Sequence, residues 1–254
     1  MSYFKSANEL QLNKKITIAG SEAQHILKSR RISVGEQIEL QDHEGKRFLT
    51  EVVMCNKDSL TVLPIKIIDL PPESPFKITL FQAVVKEKSL DNILQKTTEL
   101  GVAVINVWNS RYASEKILPK FKYKLTRWQK IVDEACKQSD RTTAPTLSLL
   151  AGLADVTKSG TELDCLLVLD KSGNENLVVR DPDGSSDPER EKIKNPKSVG
   201  LVIGPEGGLD KLEIEALKEL PNVKIIKFGP RILRADTAAI AAVAIVNNLF
   251  GDLN

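Results

Sequence analysis

Residues 224–246 read KIIKFGPRILRADTAAIAAVAIV and join an apolar strand pattern to an alanine-rich helix pattern through a polar turn. The strand pattern breaks at Gly229, and the helix pattern starts near Asp236. Arg231 and Arg234 lie between these points. Because amides at a helix start and guanidinium groups meet there, the turn is a candidate site for an anionic or electron-rich ligand. Solvated arginines in an ordinary strand-to-helix loop are the alternative.

A glycine-rich loop precedes this turn in the chain. Residues 198–209 read SVGLVIGPEGGL, a buried-strand pattern followed by three glycines around Glu206. Such a loop lets the backbone approach a ligand closely. The glycine spacing and the absence of a following Gly-Lys-Ser/Thr exclude the dinucleotide fingerprint and the phosphate-binding P-loop. Asp210, with Glu213 three residues later, predicts a capped helix that continues to Leu220.

The composition indicates an ordinary globular protein of one or two domains. The chain has 254 residues, of which 41% are apolar and 28% charged. It has no apolar run long enough to span a bilayer, and its N-terminus lacks a signal-peptide core. We therefore expect a cytoplasmic protein with no membrane partner. The net charge of +2 is too small to indicate a nucleic-acid partner by itself.

The cysteines and histidines exclude several kinds of chemistry. Three widely spaced cysteines form neither a disulfide framework nor a zinc pattern. Both histidines, His25 and His43, lie in the first quarter of the chain. A histidine-activated nucleophile is therefore excluded from the C-terminal part, and we expect no metal.

Residues 1–70 show short alternating stretches separated by turns, which predicts a small antiparallel β-barrel. The predicted strands are 16–18, 37–40, 48–53 and 59–63, with a short helix over 22–31. Lys28, Arg30 and Arg31 at the end of this helix, with Arg47 at a hairpin tip, are candidate contacts to RNA phosphates. A solvated charged face is the alternative interpretation.

The rest of the chain predicts an α/β domain. Residues 71–75 are a proline-rich linker, so the predicted domains are 1–70 and 76–254. Strand, helix and strand patterns follow one another over 76–108, which indicates a parallel sheet. Residues 170–197 are rich in charge, proline and glycine, and we interpret them as a mobile surface insertion.

Five stretches of the chain resemble one enzyme family. IGPEGGL followed by FGPRILRADTA resembles the signature pair of the RsmE family, bacterial 16S ribosomal RNA uridine-N3 methyltransferases of the SPOUT class. DNILQKTTELGV, RWQKI and EACKQSDR resemble the middle of that family. The resemblance implies a C-terminal SPOUT-type α/β domain with a parallel sheet and a trefoil knot, an N-terminal PUA-like RNA-binding barrel, and a homodimer.

The resemblance also implies a reaction and its residues. The reaction is S-adenosylmethionine-dependent methylation of uridine N3 in 16S rRNA of the small ribosomal subunit, a step of ribosome biogenesis. A related methyltransferase acting on another RNA or a ribose 2′-OH, and a non-catalytic RNA-binding module, are the alternatives. The cofactor-binding residues carried over are Leu169, Ile203, Gly204, Glu206, Gly207, Gly208, Phe228, Gly229, Ile232 and Leu233. Arg234 and Asp236 are the catalytic candidates, and Arg141 and Arg231 join the RNA-contact candidates.

Three positions depart from the family's pattern. Asp236 stands where the family usually has glutamate, and Lys137 and Asp140 replace its usual glutamate and glycine. Asp236 is therefore either the group that accepts or positions the N3 proton or the N-cap of the last helix. Glu206 either contacts the ligand or braces its own loop.

Overall fold

The computed structural model describes residues 3–30, 32–70, 72–113, 121–173 and 196–253. The chain divides into two compact units, one of Met1–Glu73 with Cys136–Thr143, the other of Ser74–Ala135 with Ala144–Asn254. The segment 136–143 thus adds to the first unit, because side chains there bond to the N-terminal sheet and to Glu73. Of the predicted insertion over 170–197, residues 174–195 lie outside the described part of the chain.

The first unit contains a five-stranded sheet with one helix. Its elements are β1 (Phe4–Lys5), β2 (Ile16–Ala19), α1 (Ser21–Arg30), β3 (Gln37–Gln41), β4 (Arg47–Cys55) and β5 (Ser59–Ile68). The sheet order is β1-β3-β4-β5-β2, antiparallel except for the β1–β3 pair. The four predicted strands and the helix are present. β1 was not predicted, since two residues carry no periodic pattern.

Alternate side chains of this sheet bury an apolar core against α1. Ile26 of α1 is fully buried with Leu40 of β3 and with Leu60 and Val62 of β5. This alternation of buried and exposed residues is the period-two pattern by which the strands were predicted.

The second unit is built on a six-stranded parallel sheet. Its strands are β6 (Lys77–Ala83), β7 (Val104–Trp108), β8 (Thr146–Leu150), β9 (Cys165–Leu169), β10 (Ser198–Ile203) and β11 (Val223–Ile226). Its helices are α2 (Glu87–Glu99), α3 (Phe121–Gln138), which ends in the first unit, α4 (Leu153–Gly160), α5 (Lys211–Lys218) and α6 (Ala235–Phe250). The sheet order is β11-β9-β10-β6-β7-β8, and every pair is parallel.

Apolar helix faces cover the sheet. Leu217 of α5 and Val156 of α4 join a buried cluster with Phe81, Trp108 and Val168 of the sheet. The last helix, α6, packs against α2, β6 and β10. The predicted α/β architecture is confirmed, while the trefoil knot stays a prediction.

Within the described ranges, no helix is long and apolar enough to cross a membrane. In that same part of the chain, no group of three or more His, Cys, Asp or Glu side chains is arranged to hold a metal ion.

Candidate active site

Three adjacent strands of the second unit end at one edge of the sheet. In the parallel register, Leu169 at the end of β9 pairs with Ile203 of β10 on one side and Ile226 of β11 on the other. Ile203 and Ile226 are each 2% exposed, and Leu169 is half-buried. The loops that follow these strands therefore start side by side above an apolar floor. Carboxyl edges of parallel sheets are where ligands of open α/β domains bind.

The loops after β9 and β11 are in direct contact. The amide of Asp170 donates to the carbonyl of Ile226 at 3.0 Å. A Cβ atom placed on Gly173 would lie 2.6 Å from the carbonyl carbon of Ile226, so only glycine allows this approach of the two backbones. The first part of the β9 loop is thereby fixed against the end of β11.

The glycine-rich loop after β10 folds back on itself and toward β6. Gly208 has a φ of 79°, which favours glycine, and its amide donates to the carbonyl of Pro205 at 2.9 Å. The exposed Glu206 carboxylate accepts the backbone amide of Lys86, the N-cap of α2, at 3.2 Å. Glu206 therefore braces the loop after β6 rather than its own loop alone.

A capping box fixes the far end of this loop. Asp210 accepts the amide of Leu212 at 3.0 Å, and Glu213 accepts the amide of Asp210 at 2.8 Å. The predicted cap of α5 is confirmed, although the helix ends at Lys218, two residues before the predicted end. The loop is thus held between the end of β10 and a fixed helix start.

The segment after β11 carries the two candidate arginines. Gly229 has a φ of 62°, and a Cβ atom there would have no neighbour within 4 Å. Arg231 and Arg234 are both exposed, and Ile232 between them is 93% exposed. An isoleucine this open, beside the candidate loops, indicates that the segment is not covered by its own unit.

The structure corrects one of the two readings of Asp236. The N-cap of α6 is Arg234, whose backbone carbonyl accepts the amide of Ala238 at 2.8 Å. Asp236 is the second helical residue, half-buried, and its carboxylate accepts the amide of Thr237 at 2.9 Å. The helix begins at Ala235, one residue before the predicted start near Asp236. Asp236 therefore neutralises part of the positive helix end without being its N-cap.

The predicted RNA contacts divide into exposed and engaged cations. Lys28 is exposed, whereas the side chains of Arg30 and Arg31 lie outside the described part of the structure. Arg47 is corrected to an interior residue, because it is 2% exposed and bonds to Asp140.

Arg141 is also engaged within the first unit. Its guanidinium pairs with Glu73 at 2.8 Å, and its side chain is 9% exposed. A phosphate contact by Arg141 requires this pair to open.

Two residues after β7 contact the capping box at the end of the glycine-rich loop. No local sequence pattern indicates this contact. Ser110 and Arg111 bond to Glu213 of the capping box. Because the partners lie about a hundred residues apart in the chain, no local pattern could reveal them.

The edge of the sheet offers a ligand an apolar floor and backbone hydrogen-bonding groups. Its floor is apolar, its loops offer backbone groups at Gly207, Gly208 and Gly229, and its fixed charges stand at the rim. An adenosine moiety is recognised by such backbone groups and small apolar contacts. A parallel sheet with these loops at its carboxyl edge defines an α/β enzyme domain of the cofactor-binding class.

Comparison with known proteins defines the family. The family model of the RNA methyltransferase domain matches residues 72–247, and that of the RNA methyltransferase PUA domain matches residues 18–65. The chain therefore belongs to the RNA methyltransferase family that combines these two domains, the family of the ribosomal RNA small subunit methyltransferases E. The predicted RNA methyltransferase and N-terminal PUA domain are confirmed.

Individual relatives match over nearly the whole chain. The ribosomal RNA small subunit methyltransferase E of Buchnera aphidicola is 31% identical over 96% of this chain and 95% of its own. The Bacillus subtilis protein of the same name is 30% identical over 96% and 95%. The crystal structure of the Neisseria gonorrhoeae protein of that name, bound to S-adenosylmethionine, superimposes with a TM-score of 0.84 at 27% identity and covers both chains fully. A putative methyltransferase of Legionella pneumophila, also with bound S-adenosylmethionine, gives 0.85 at 28% identity over 99% of this chain and 98% of its own.

Proposed function

We propose that this chain transfers the methyl group of S-adenosylmethionine to N3 of a uridine in 16S rRNA of the small ribosomal subunit. The observation that carries the proposal is the register of Leu169, Ile203 and Ile226, which gathers three loops at one edge of the sheet. Family membership and the two S-adenosylmethionine-bound relatives support the same cofactor here.

The proposed cofactor-binding residues lie at the ends of β9 and β10 and in the loops after β10 and β11. They are Leu169, Ile203, Gly204, Glu206, Gly207, Gly208, Phe228, Gly229, Ile232 and Leu233. Most would act through backbone amides and carbonyls, because seven of the ten are glycine or directly adjacent to a glycine in the sequence. The methyl group of S-adenosylmethionine is already activated by its sulfonium, so the protein has only to hold and align it.

Arg234 and Asp236 are the candidates for acting on the uridine. As the new bond from N3 to the methyl carbon forms and the methyl–sulfur bond breaks, the N3 proton must leave and negative charge develops on the uracil carbonyl oxygens. The exposed guanidinium of Arg234 can stabilise that charge. Asp236, two residues further along, can accept or position the proton. Its shorter side chain, compared with the family's glutamate, places that carboxylate closer to the helix backbone.

The homodimer belongs to the same proposal. Helix α6 presents a face that its own unit leaves partly open, with Ile240, Ala241, Ala244 and Ile245 half-buried and Leu249 37% exposed. Together with the open Ile232, this apolar face supports a second copy packed beside the site. We propose a cytoplasmic homodimer that acts on the small subunit.

The test of substrate class uses radiolabelled S-adenosylmethionine with three acceptors: undermodified small subunits, large subunits and transfer RNA. We expect label in 16S rRNA alone. Label in another RNA contradicts the acceptor while keeping the cofactor. Measurable cofactor binding without transfer to any acceptor contradicts the enzymatic function and favours an RNA-binding module.

A further inference from the structure

A second set of side chains, not used by the proposed reaction, ties the segment after β7 to the glycine-rich loop. The buried Glu213 carboxylate accepts the hydroxyl of Ser110 at 3.0 Å and the backbone amide of Arg111 at 2.8 Å. Ser110 is 6% exposed and Glu213 7%. The same carboxylate also caps α5 through the amide of Asp210. One buried acid therefore holds a helix start and a neighbouring loop together.

The other acid of the capping box is held from the surface side. Nη1 of Arg111 donates to Oδ1 of Asp210 at 3.2 Å. The hydroxyl of Tyr112 donates to the same carboxylate, and this bond raises the pKa of Tyr112 above its ordinary value. Arg111 and Tyr112 are themselves exposed, the arginine side chain by 60%. Two surface side chains thus converge on one buried carboxylate.

Tyr112 also lies against the glycines of the loop. A Cβ atom placed on Gly207 would come within 3.4 Å of the Tyr112 Cβ atom, which is van der Waals contact. The loop 204–210 is therefore bounded by β10 at one end, by the Asp210 cap at the other, and by Tyr112 along its side.

We infer that Arg111 and Tyr112 are positioning residues for the proposed cofactor loop, acting through Asp210. This inference rests on the proposed function. A loop held in its binding conformation loses less conformational entropy when a ligand binds, so release of its anchor weakens binding without altering the chemistry. The capping box of α5 therefore orders the glycine-rich cofactor loop as well as the start of the helix.

Removing the two surface donors tests the inference without opening the core. The variant Arg111→Ala/Tyr112→Phe deletes both side-chain bonds to Asp210. It keeps the capping box of α5, in which the carboxylates of Asp210 and Glu213 accept backbone amides. We expect its dissociation constant for S-adenosylmethionine, measured by calorimetry without RNA, to rise about tenfold, as for one lost ordering contact. The maximal turnover at saturating cofactor should change less than about twofold, because the reacting groups are untouched.

A matched control removes similar groups that do not bond to Asp210. Lys211→Ala/Tyr123→Phe deletes an exposed cation next to Asp210 and an exposed phenol on α3. It should keep the wild-type affinity for the cofactor. Arg111→Lys/Tyr112→Phe, which retains a cation near Asp210, should recover part of the lost affinity.

The outcomes separate this inference from the proposed function. Wild-type cofactor affinity in Arg111→Ala/Tyr112→Phe contradicts the inference alone. A change confined to RNA affinity and its salt dependence also contradicts it and makes Arg111 an RNA contact. Failure of the wild-type protein to bind S-adenosylmethionine contradicts both the proposed function and the inference that rests on it.

Discussion

Nη1 of Arg47 lies 2.6 Å from Oδ1 of Asp140, and Asp140 adopts a left-handed φ of 56°. The Arg47 guanidinium also stacks over the Tyr3 ring, with its carbon 3.8 Å from the ring centroid. Asp140 occupies the position where the family's pattern has glycine. Asp140 therefore adopts a backbone conformation that favours glycine. Its carboxylate neutralises the buried Arg47 guanidinium.

Two opposing effects, backbone strain and the ion pair with Arg47, decide what Asp140 contributes to the free energy of unfolding. Its left-handed backbone costs about 1 kcal/mol relative to glycine. Loss of its charge removes the nearer of two carboxylates from the buried Arg47, since Glu39 lies 3.7 Å from Nη1, while Nε and Nη2 lack hydrogen-bond partners among the described residues. Breaking a fully buried pair costs about 3–5 kcal/mol, and because the Asp140 side chain is 54% exposed we expect about 1–3 kcal/mol here. The ion pair therefore outweighs the strain.

We predict that Asp140→Asn lowers the free energy of unfolding by about 1–3 kcal/mol, since asparagine keeps the left-handed preference and removes only the charge. Asp140→Gly should also destabilise, but less, because it relieves the backbone strain. Urea unfolding at pH 7 measures both. A glycine variant more stable than wild type would show that strain, not charge, dominates at this position.

Replacement of Arg234 should separate chemistry from binding. We expect Arg234→Ala to lower methyl transfer by at least about a hundredfold, as for loss of one transition-state donor. Its dissociation constant for S-adenosylmethionine should stay within about threefold of wild type, because the cofactor loops are intact. Arg231→Ala, three residues earlier, is the matched control and should affect RNA affinity instead. Equal loss of binding and transfer in Arg234→Ala contradicts the proposed role.

The basic end of α1 is tested by the salt dependence of RNA binding. Replacing Lys28, Arg30 and Arg31 by alanine should weaken RNA binding and reduce the slope of log affinity against log salt by roughly 2, if three phosphate contacts are lost. The charge-matched variant Lys130→Ala/Lys158→Ala/Lys218→Ala, at exposed positions of the second unit, should leave the slope unchanged. An unaltered slope in the first variant places the RNA elsewhere.

The Glu73–Arg141 pair predicts acid sensitivity. Burial would raise the pKa of Glu73, but the hydrogen bond and charge of Arg141, with the amides of Thr143 and Thr142, outweigh burial and hold the pKa below its ordinary value. A carboxyl with a lowered folded-state pKa stabilises the fold above its unfolded pKa, about 4.3, and this contribution disappears as the pH falls through the folded pKa.

We therefore expect Glu73→Gln to be less stable than wild type at pH 7 and the difference to shrink as the pH falls below about 4.3. Urea unfolding across this range measures the difference. A gap between the two proteins that is the same at every pH would mean that the carboxylate charge is not what Glu73 contributes.

Features encoded by neighbouring residues could be predicted from the sequence. The cap of α5 needs only Asp210 and Glu213, three residues apart, and the buried run of β10 needs only its own apolar residues. The strands β1 and β8 and the helix α4 were not predicted; β1 spans two residues and α4 eight, which is short for recognising a period.

Features that depend on residues distant in the chain could not be predicted. Arg47 at a hairpin tip has the pattern of a solvated cation, and its partner Asp140 lies 93 residues away. Arg234 occupies the N-cap position of α6 without a side-chain capping bond, although aspartate, the alternative that the sequence offered at Asp236, is the commoner cap.

The identity of the methylated nucleoside decides whether N3 of uridine is the acceptor. Undermodified small subunits treated with the protein and S-adenosylmethionine are digested to nucleosides and separated by liquid chromatography with mass spectrometry. Chromatography distinguishes the methyluridine isomers, which share one mass. We predict 3-methyluridine with the wild-type protein and its loss with Arg234→Ala. A 2′-O-methylated nucleoside, 5-methyluridine, or no methylated product would overturn methylation at N3 of uridine.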